Sequence, residues 1–236
     1  MIFFKSFKKP RIVCFDLDDT LYDNTFPISY AEQYMLEAIG ERYLGGDVLS
    51  PNSYTEIKNI IIDRCPEIKD DVSMVRYFAY RHILDNYGYE RKQSASIAGS
   101  LVDEFIKVRS RINVPETSLE TLRILGRYYH LVALSNGNAD MNCTSLRNCF
   151  ENIWMPISGI SAKPAPDLFI IASSYYRVAP NEMLFVGDDP QNDVYGAVRF
   201  GCQMCWQTQY RKPANELIVL PHVMISNIRE LIDLLL

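Results

Sequence analysis

Three carboxylates, Asp16, Asp18 and Asp19, fall within four positions directly after the apolar run Ile12-Val13-Cys14-Phe15. Like charges this close raise one another's pKa and repel unless a cation or hydrogen-bond donors compensate them. Two later apolar runs end in polar residues in the same way. One leads into Ser135-Asn136-Gly137-Asn138, the other, Met183–Gly187, into Asp188-Asp189 and Asp193, with Lys163-Pro164 in the loop between them. If the runs are neighbouring strands, their ends converge at one sheet edge, where open α/β sheets bind ligands. The assembled set suits phosphoryl transfer. An ionised carboxylate at Asp16 can attack phosphorus without a base. Asp18, two residues on and on the same side of an extended segment, can protonate the leaving oxygen and then deprotonate water. Clustered acids ask for a hard divalent cation, and Mg²⁺ takes one or two carboxylates with water and phosphate. Asp16 and Asp188 would serve, with a backbone carbonyl. Lys163 would balance the remaining charge on the phosphoryl oxygens, and Ser135 with nearby amides would add neutral donors.

Positioning these residues requires a parallel sheet. Arg11–Leu17, His130–Ser135 and Met183–Gly187 are uninterrupted apolar runs, as expected of strands buried on both faces. Gln203–Gln207 and the segment around Trp154–Ile157 are further candidates. Helical patterns fall between the later runs, at Ser118–Tyr128, Asp140–Phe150, Pro166–Tyr176 and Asp193–Phe200, so the chain reads as an α/β domain. Residues 23–111 differ. Helical patterns at Ile28–Leu44, Ser53–Asp63, Val72–Tyr87 and Arg91–Ser110 are broken by Gly45-Gly46, Pro51, Cys65-Pro66 and Gly88, which predicts an inserted helical bundle. The expected boundaries are therefore 1–22 and 112–236 for the α/β core and 23–111 for the insert.

Composition narrows the partners. A formal net charge of −5, without a dense basic stripe, argues against nucleic acid. Lys5, Lys8, Lys9 and Arg11, interleaved with Phe3, Phe4 and Phe7, read as an arm leading into the first strand. No segment has the pattern of a signal peptide or the length of a membrane span, so the expectation is a cytoplasmic protein with no membrane partner. Oligomeric state stays open between monomer and weak homodimer. Six cysteines in 236 residues do not suggest a disulfide framework, and Cys202-x-x-Cys205 lies in a strand pattern rather than at a helix start.

Asp-x-Asp-x-Thr at 16–20, the strand-end Ser135, Lys163 and Gly-Asp-x-x-x-x-Asp at 187–193 jointly resemble the four motifs of the haloacid dehalogenase superfamily. The resemblance implies a Rossmann-like core with an inserted type-1 helical cap. It casts Asp16 as nucleophile, Asp18 as general acid/base, and Asp16, Asp18 and Asp188 as the Mg²⁺ set. Ser135, Asn136 and Lys163 would bind phosphate, with Thr20 and Asp193 in support. Further similarity at Phe15–Asn24, Arg109–Pro115, Ser135–Ala139 and Leu220-Pro221-His222 is to a bacterial subgroup of phosphatases. These hydrolyse FMN and the riboflavin precursor 5-amino-6-(5-phospho-D-ribitylamino)uracil. The implied partner is a small-molecule phosphomonoester. Tyr22 and Asn24 should lie near the mouth of the site, while Asp19 and Asp189 brace their turns. Tyr30, Tyr34, Tyr77, Phe78, Tyr80, Tyr87 and Tyr89 are either stacking partners for a substrate ring or bundle core. The alternatives are a nucleotide 5′-phosphatase and a phosphosugar mutase. A dehalogenase would not need the second acid at Asp18, and a binding module would have lost one of the acids.

Overall fold

The computed structural model describes residues 1–210 and 217–236, and the chain divides into two compact units. One comprises Met1–Asn24, Asn113–Gly137 and Thr144–Leu236. The other comprises Thr25–Ile112 together with Asn138–Cys143.

Among the described residues of the first unit, one seven-stranded sheet is formed by β1 (Ile2–Phe3), β2 (Ile12–Phe15), β3 (His130–Leu134), β4 (Asn152–Trp154), β5 (Met183–Gly187), β6 (Gln203–Gln207) and β7 (Val223–Ile225). The order is β1-β7-β6-β5-β2-β3-β4, and every pair is parallel except β1 with β7. β2 and β5 are buried at every position, which is why their sequences run apolar instead of alternating, and β6 is buried throughout although it begins and ends in glutamine. From β2 the chain moves outward through β3 to β4, then returns to the other side of β2 and moves outward through β5, β6 and β7. That reversal leaves a crevice at the carboxyl ends of β2, β3 and β5.

The second unit contains α1 (Thr25–Tyr43), α2 (Pro51–Arg64), α3 (Val72–Asn86) and α4 (Arg91–Arg109). Ser50 accepts from the Ser53 amide at 3.1 Å to start α2, where Pro51 occupies the first turn. Asp71 accepts from the amides of Ser73 and Met74 to start α3. Met35, Ile39, Tyr80, Leu84, Leu101 and Phe105 pack the shared core. Arg76 is buried among them, with its guanidinium 3.4 Å from the Phe105 ring centre and hydrogen bonds to Tyr54 and Glu32. Of the aromatics weighed as stacking partners, Tyr80 is entirely core, whereas Tyr30 is exposed and stacks between Phe26 and Tyr34 along α1. Among the described residues no helix is long and apolar enough to cross a membrane.

The structure departs from the sequence reading in several places. Asp140–Phe150 forms a short tight helical turn at Met141–Cys143 followed by successive turns, not an α-helix. Asp140 accepts from the Asn142 amide and Thr144 from the Leu146 amide, local bonds that compete with helical ones. The N-terminal arm supplies β1, which pairs antiparallel with β7, and the Met1 ammonium meets the Glu230 carboxylate. The strand expected around Trp154–Ile157 lies two residues earlier, at Asn152–Trp154. The remaining α-helices are α5 (Glu116–Leu125), α6 (Asp167–Tyr176), α7 (Gly196–Phe200) and α8 (Glu230–Leu235). Cys202 and Cys205 are free and buried, and burial pushes the Cys202 thiol up to about 12, well away from a reactive thiolate.

His222, preceding β7, accepts the Met204 amide proton at Nδ1. Burial, and to a lesser extent Lys5, holds its pKa below the usual 6.5, so protonation favours the unfolded chain. Stability should therefore fall as pH drops through 6.5 towards the folded-state value. Urea unfolding compared between about pH 8 and pH 5.5 should show a flatter dependence in His222→Gln than in the parent; parallel curves would refute this.

Candidate active site

Asp16 follows β2 directly, and its amide extends the ladder to the Val186 carbonyl at 2.8 Å. Ser135 follows β3 with its amide on the Trp154 carbonyl, and Asp188 follows β5. Asp16, Asp18, Ser135, Asn136, Lys163, Asp188 and Asp193 line one cavity of about 130 Å³, together with Asp19 and Asp189. The residues drawn from three separate motif regions and the lysine loop thus share one small, acidic hollow.

Charge compensation inside it is specific. Lys163 is 3% exposed, and its Nζ donates to Asp16 Oδ1 at 2.7 Å and Asp193 Oδ1 at 2.8 Å. Burial alone would lower the lysine pKa, but the two carboxylates outweigh it and hold the group charged, well above its usual range. Asp16 is pushed up to about 7, chiefly by burial. Lys163 opposes that shift incompletely, and the nearby Asp193 and Asp18 add to it. A carboxylate in that condition gains from further positive charge.

The remaining acids divide by their partners. Asp193 Oδ2 accepts from the amides of Asp188 and Asp189, both at 3.0 Å, so both of its oxygens hold protein groups. One oxygen each of Asp16, Asp188 and Asp193 lie within 4.8 Å of one another. With Asp193 engaged by Lys163 and two amides, Asp16 and Asp188 are the carboxylates suited to a hard divalent cation. Two carboxylates in an oxygen-rich hollow fit Mg²⁺. Thr20 Oγ1 lies 3.2 Å from Asp188 Oδ1 and 3.5 Å from Asp16 Oδ2, tying the pair together. Asp19 adopts φ 57°, a left-handed conformation that aspartate tolerates, and accepts the Asn24 amide at 2.8 Å. Asp189 accepts from the amides of Gln191 and Asn192, starting the wide helical turn Pro190–Tyr195 that presents Asp193.

Tyr22, expected at the mouth of the site, is fully buried, and its hydroxyl donates to Asp18 Oδ1 at 2.5 Å. It reaches the site through that carboxylate and not through an exposed ring. Asn136 exchanges two bonds with the main chain of Lys163, donating from Nδ2 to its carbonyl at 2.8 Å and accepting its amide at 2.9 Å. Its carboxamide therefore fixes the lysine loop, which includes a cis Lys163–Pro164 bond. Ser135 Oγ accepts the Gly137 amide at 3.1 Å, fixing the turn after β3.

Gly187 is required by this packing. A Cβ there would fall 2.5 Å from Asp193 Oδ2 and 2.6 Å from its Cγ. Gly187→Ala is expected to displace the Asp193 carboxylate and to cost about 1–3 kcal/mol in urea unfolding, with loss of activity. Unchanged stability and turnover would contradict the packing described.

The sequence reading missed two residues. Trp206 Nε1 donates to the Asp188 carbonyl at 2.8 Å, and Gln207 Nε2 donates to the Thr20 carbonyl at 2.8 Å. The available signal was a glutamine closing an otherwise buried strand, since a buried polar side chain needs a partner.

Comparison with known proteins agrees with this geometry. A family model described as haloacid dehalogenase-like hydrolase matches residues 10–201. The 5-amino-6-(5-phospho-D-ribitylamino)uracil phosphatase YigB of Escherichia coli (strain K12) is 30% identical over 241 residues, covering 100% of both chains. A crystal structure of 2-haloacid dehalogenase from Pseudomonas syringae pv. Tomato DC3000 superposes with a TM-score of 0.89 at 27% identity, covering 96% of this chain and 98% of that one. The HAD-hydrolase YfnB of Bacillus subtilis, in a form bound to magnesium, shares the fold with a TM-score of 0.67 at 20% identity, covering 97% and 99%. With the motif residues gathered in one cavity and a family match over most of its length, the chain belongs to the haloacid dehalogenase-like hydrolases.

Proposed function

We propose that this protein is a Mg²⁺-dependent phosphomonoester hydrolase working through an aspartyl phosphate, with 5-amino-6-(5-phospho-D-ribitylamino)uracil and FMN as its substrates. The observation carrying the reading is the buried Asp16 carboxylate, held by Lys163 at 2.7 Å beside Asp188. The full-length similarity to YigB supports the substrate.

Asp16 attacks phosphorus as the bond to the leaving oxygen breaks, and Asp18 gives that oxygen its proton. Asp18 then takes a proton from water, whose oxygen attacks the phosphoryl group and releases Asp16 as a carboxylate. The Tyr22 hydroxyl holds Asp18 in place through both proton transfers. Lys163 and Ser135 face the phosphoryl oxygens as charge builds on them. Asp16 and Asp188 would hold Mg²⁺, which would supply electrostatic stabilisation of those oxygens when bound. The superposition on a dehalogenase raises that activity as a rival. A departing halide needs no proton, so Asp18, buttressed by Tyr22, favours the phosphatase.

The test is phosphate release with Mg²⁺ across the riboflavin precursor, FMN, nucleotides and sugar phosphates. The two proposed substrates should lead sugar phosphates by about a hundredfold in kcat/KM, which is about 2.7 kcal/mol. The reverse preference would overturn the substrate, and a lead by nucleotides would favour the 5′-phosphatase. No release from any ester would overturn the reaction.

A further inference from the structure

β6 contributes no side chain to the cavity, yet its last two residues are each hydrogen-bonded to a loop that does. Trp206 is 4% exposed and Gln207 fully buried. Each gives a side-chain N–H to a main-chain carbonyl, of Asp188 and Thr20 respectively, both at 2.8 Å. A buried carbonyl that loses its donor retains the full desolvation cost, so these bonds hold their loops firmly.

The two carbonyls belong to the residues that meet at the candidate metal site. Asp188 is fixed on both sides of its Cα: its amide goes to Asp193 Oδ2 and its carbonyl to the Trp206 indole. Thr20, whose hydroxyl reaches Asp188 Oδ1 at 3.2 Å, is fixed by Gln207. The Gln207 amide has a defined orientation, because its Oε1 accepts the Gln209 N–H, leaving Nε2 to face Thr20. Trp206 also pairs with Gly187 on the β5–β6 ladder, so the indole is placed by the same strand register that ends at Asp188.

We infer that Trp206 and Gln207 are positioning residues that set Mg²⁺ affinity by pinning the main chains of Asp188 and Thr20. The inference rests on the reading of Asp16 and Asp188 as metal carboxylates. Residues that support metal ligands in this way typically change affinity by about 10–100-fold when altered. Trp206→Phe keeps a ring but removes the N–H. Gln207→Asn keeps the amide but withdraws it by one methylene, and serves as the second arm if the tryptophan variant fails to fold. Ile225→Val, in the buried face of β7, controls for a general loss of stability.

Mg²⁺ binding is measured calorimetrically on the full chain without substrate, alongside the Mg²⁺ dependence of phosphate release. Both variants should bind Mg²⁺ about 10–100-fold more weakly, with kcat at saturating Mg²⁺ within about threefold of the parent and KM for the ester unchanged. Ile225→Val should bind Mg²⁺ as the parent does. Unchanged Mg²⁺ affinity in folded Trp206→Phe or Gln207→Asn overturns the inference alone, as does an equal loss in Ile225→Val. Failure of the parent to bind Mg²⁺ overturns the metal reading and this inference with it.

Discussion

Asp16→Asn is expected to abolish phosphate release while leaving the protein folded. The substitution is isosteric and removes the one ionised oxygen able to attack phosphorus. A loss of at least about 10⁴-fold in kcat follows, about 5.4 kcal/mol at 1.36 kcal/mol per decade. Stability should move the other way or not at all. Asp16 is buried and pushed up to about 7, so the native state bears a cost for its charge that an amide removes. An amide oxygen can still accept from Lys163, which also retains Asp193. Phosphate-release assays with urea unfolding on the same preparation decide the matter. Turnover above about one-hundredth of the parent, with an intact fold, would remove Asp16 from the role proposed for it.

Lys163→Met is expected to cost both activity and stability. The Nζ stands between two buried carboxylates at 2.7 and 2.8 Å, and its removal leaves them facing each other without a counter-charge. Breaking a buried pair in this way costs about 3–5 kcal/mol. Adding Asp193→Asn to Lys163→Met should recover part of that loss, because one uncompensated charge disappears while the amide oxygen can still accept the Asp188 and Asp189 amides. Activity should not return, since the phosphoryl oxygens still lack their cation. Urea midpoints for the parent, both single variants and the double variant complete the cycle. Equal stability of Lys163→Met and the parent would mean the ion pairs do not hold the site.

The contrast between these two variants reflects what the sequence could and could not reveal. Asp16, Ser135 and Asp188 were visible because each follows an apolar run, and uninterrupted runs are the local signature of buried parallel strands. The helical unit was equally visible, because Gly, Pro and capping residues mark the ends of its helices. The role of Asp193 needed the motif resemblance, since nothing local states that it will meet Lys163. The pairing of β1 with β7 left no trace, as two- and three-residue strands carry too little pattern to register. The burial of Tyr22, the local bonds that replace a helix at 140–150, and the work of Trp206 and Gln207 all depend on which main-chain group stands opposite a side chain. That is a property of the assembled fold.

The central position of β2 has a consequence for how the chain reaches its native state. This strand is complete at Phe15, but its two neighbours begin only at His130 and Met183. On the ribosome the segment that will bear Asp16 therefore emerges before either of its partners and must wait for them before its edges are paired. Meanwhile α1–α4, which all lie within residues 25–109, are synthesised before either partner strand. Closure of long loops is slow, and unpaired apolar strands are vulnerable while it proceeds. The Asp16 strand is thus made before the helical unit and can be seated in the sheet only after it.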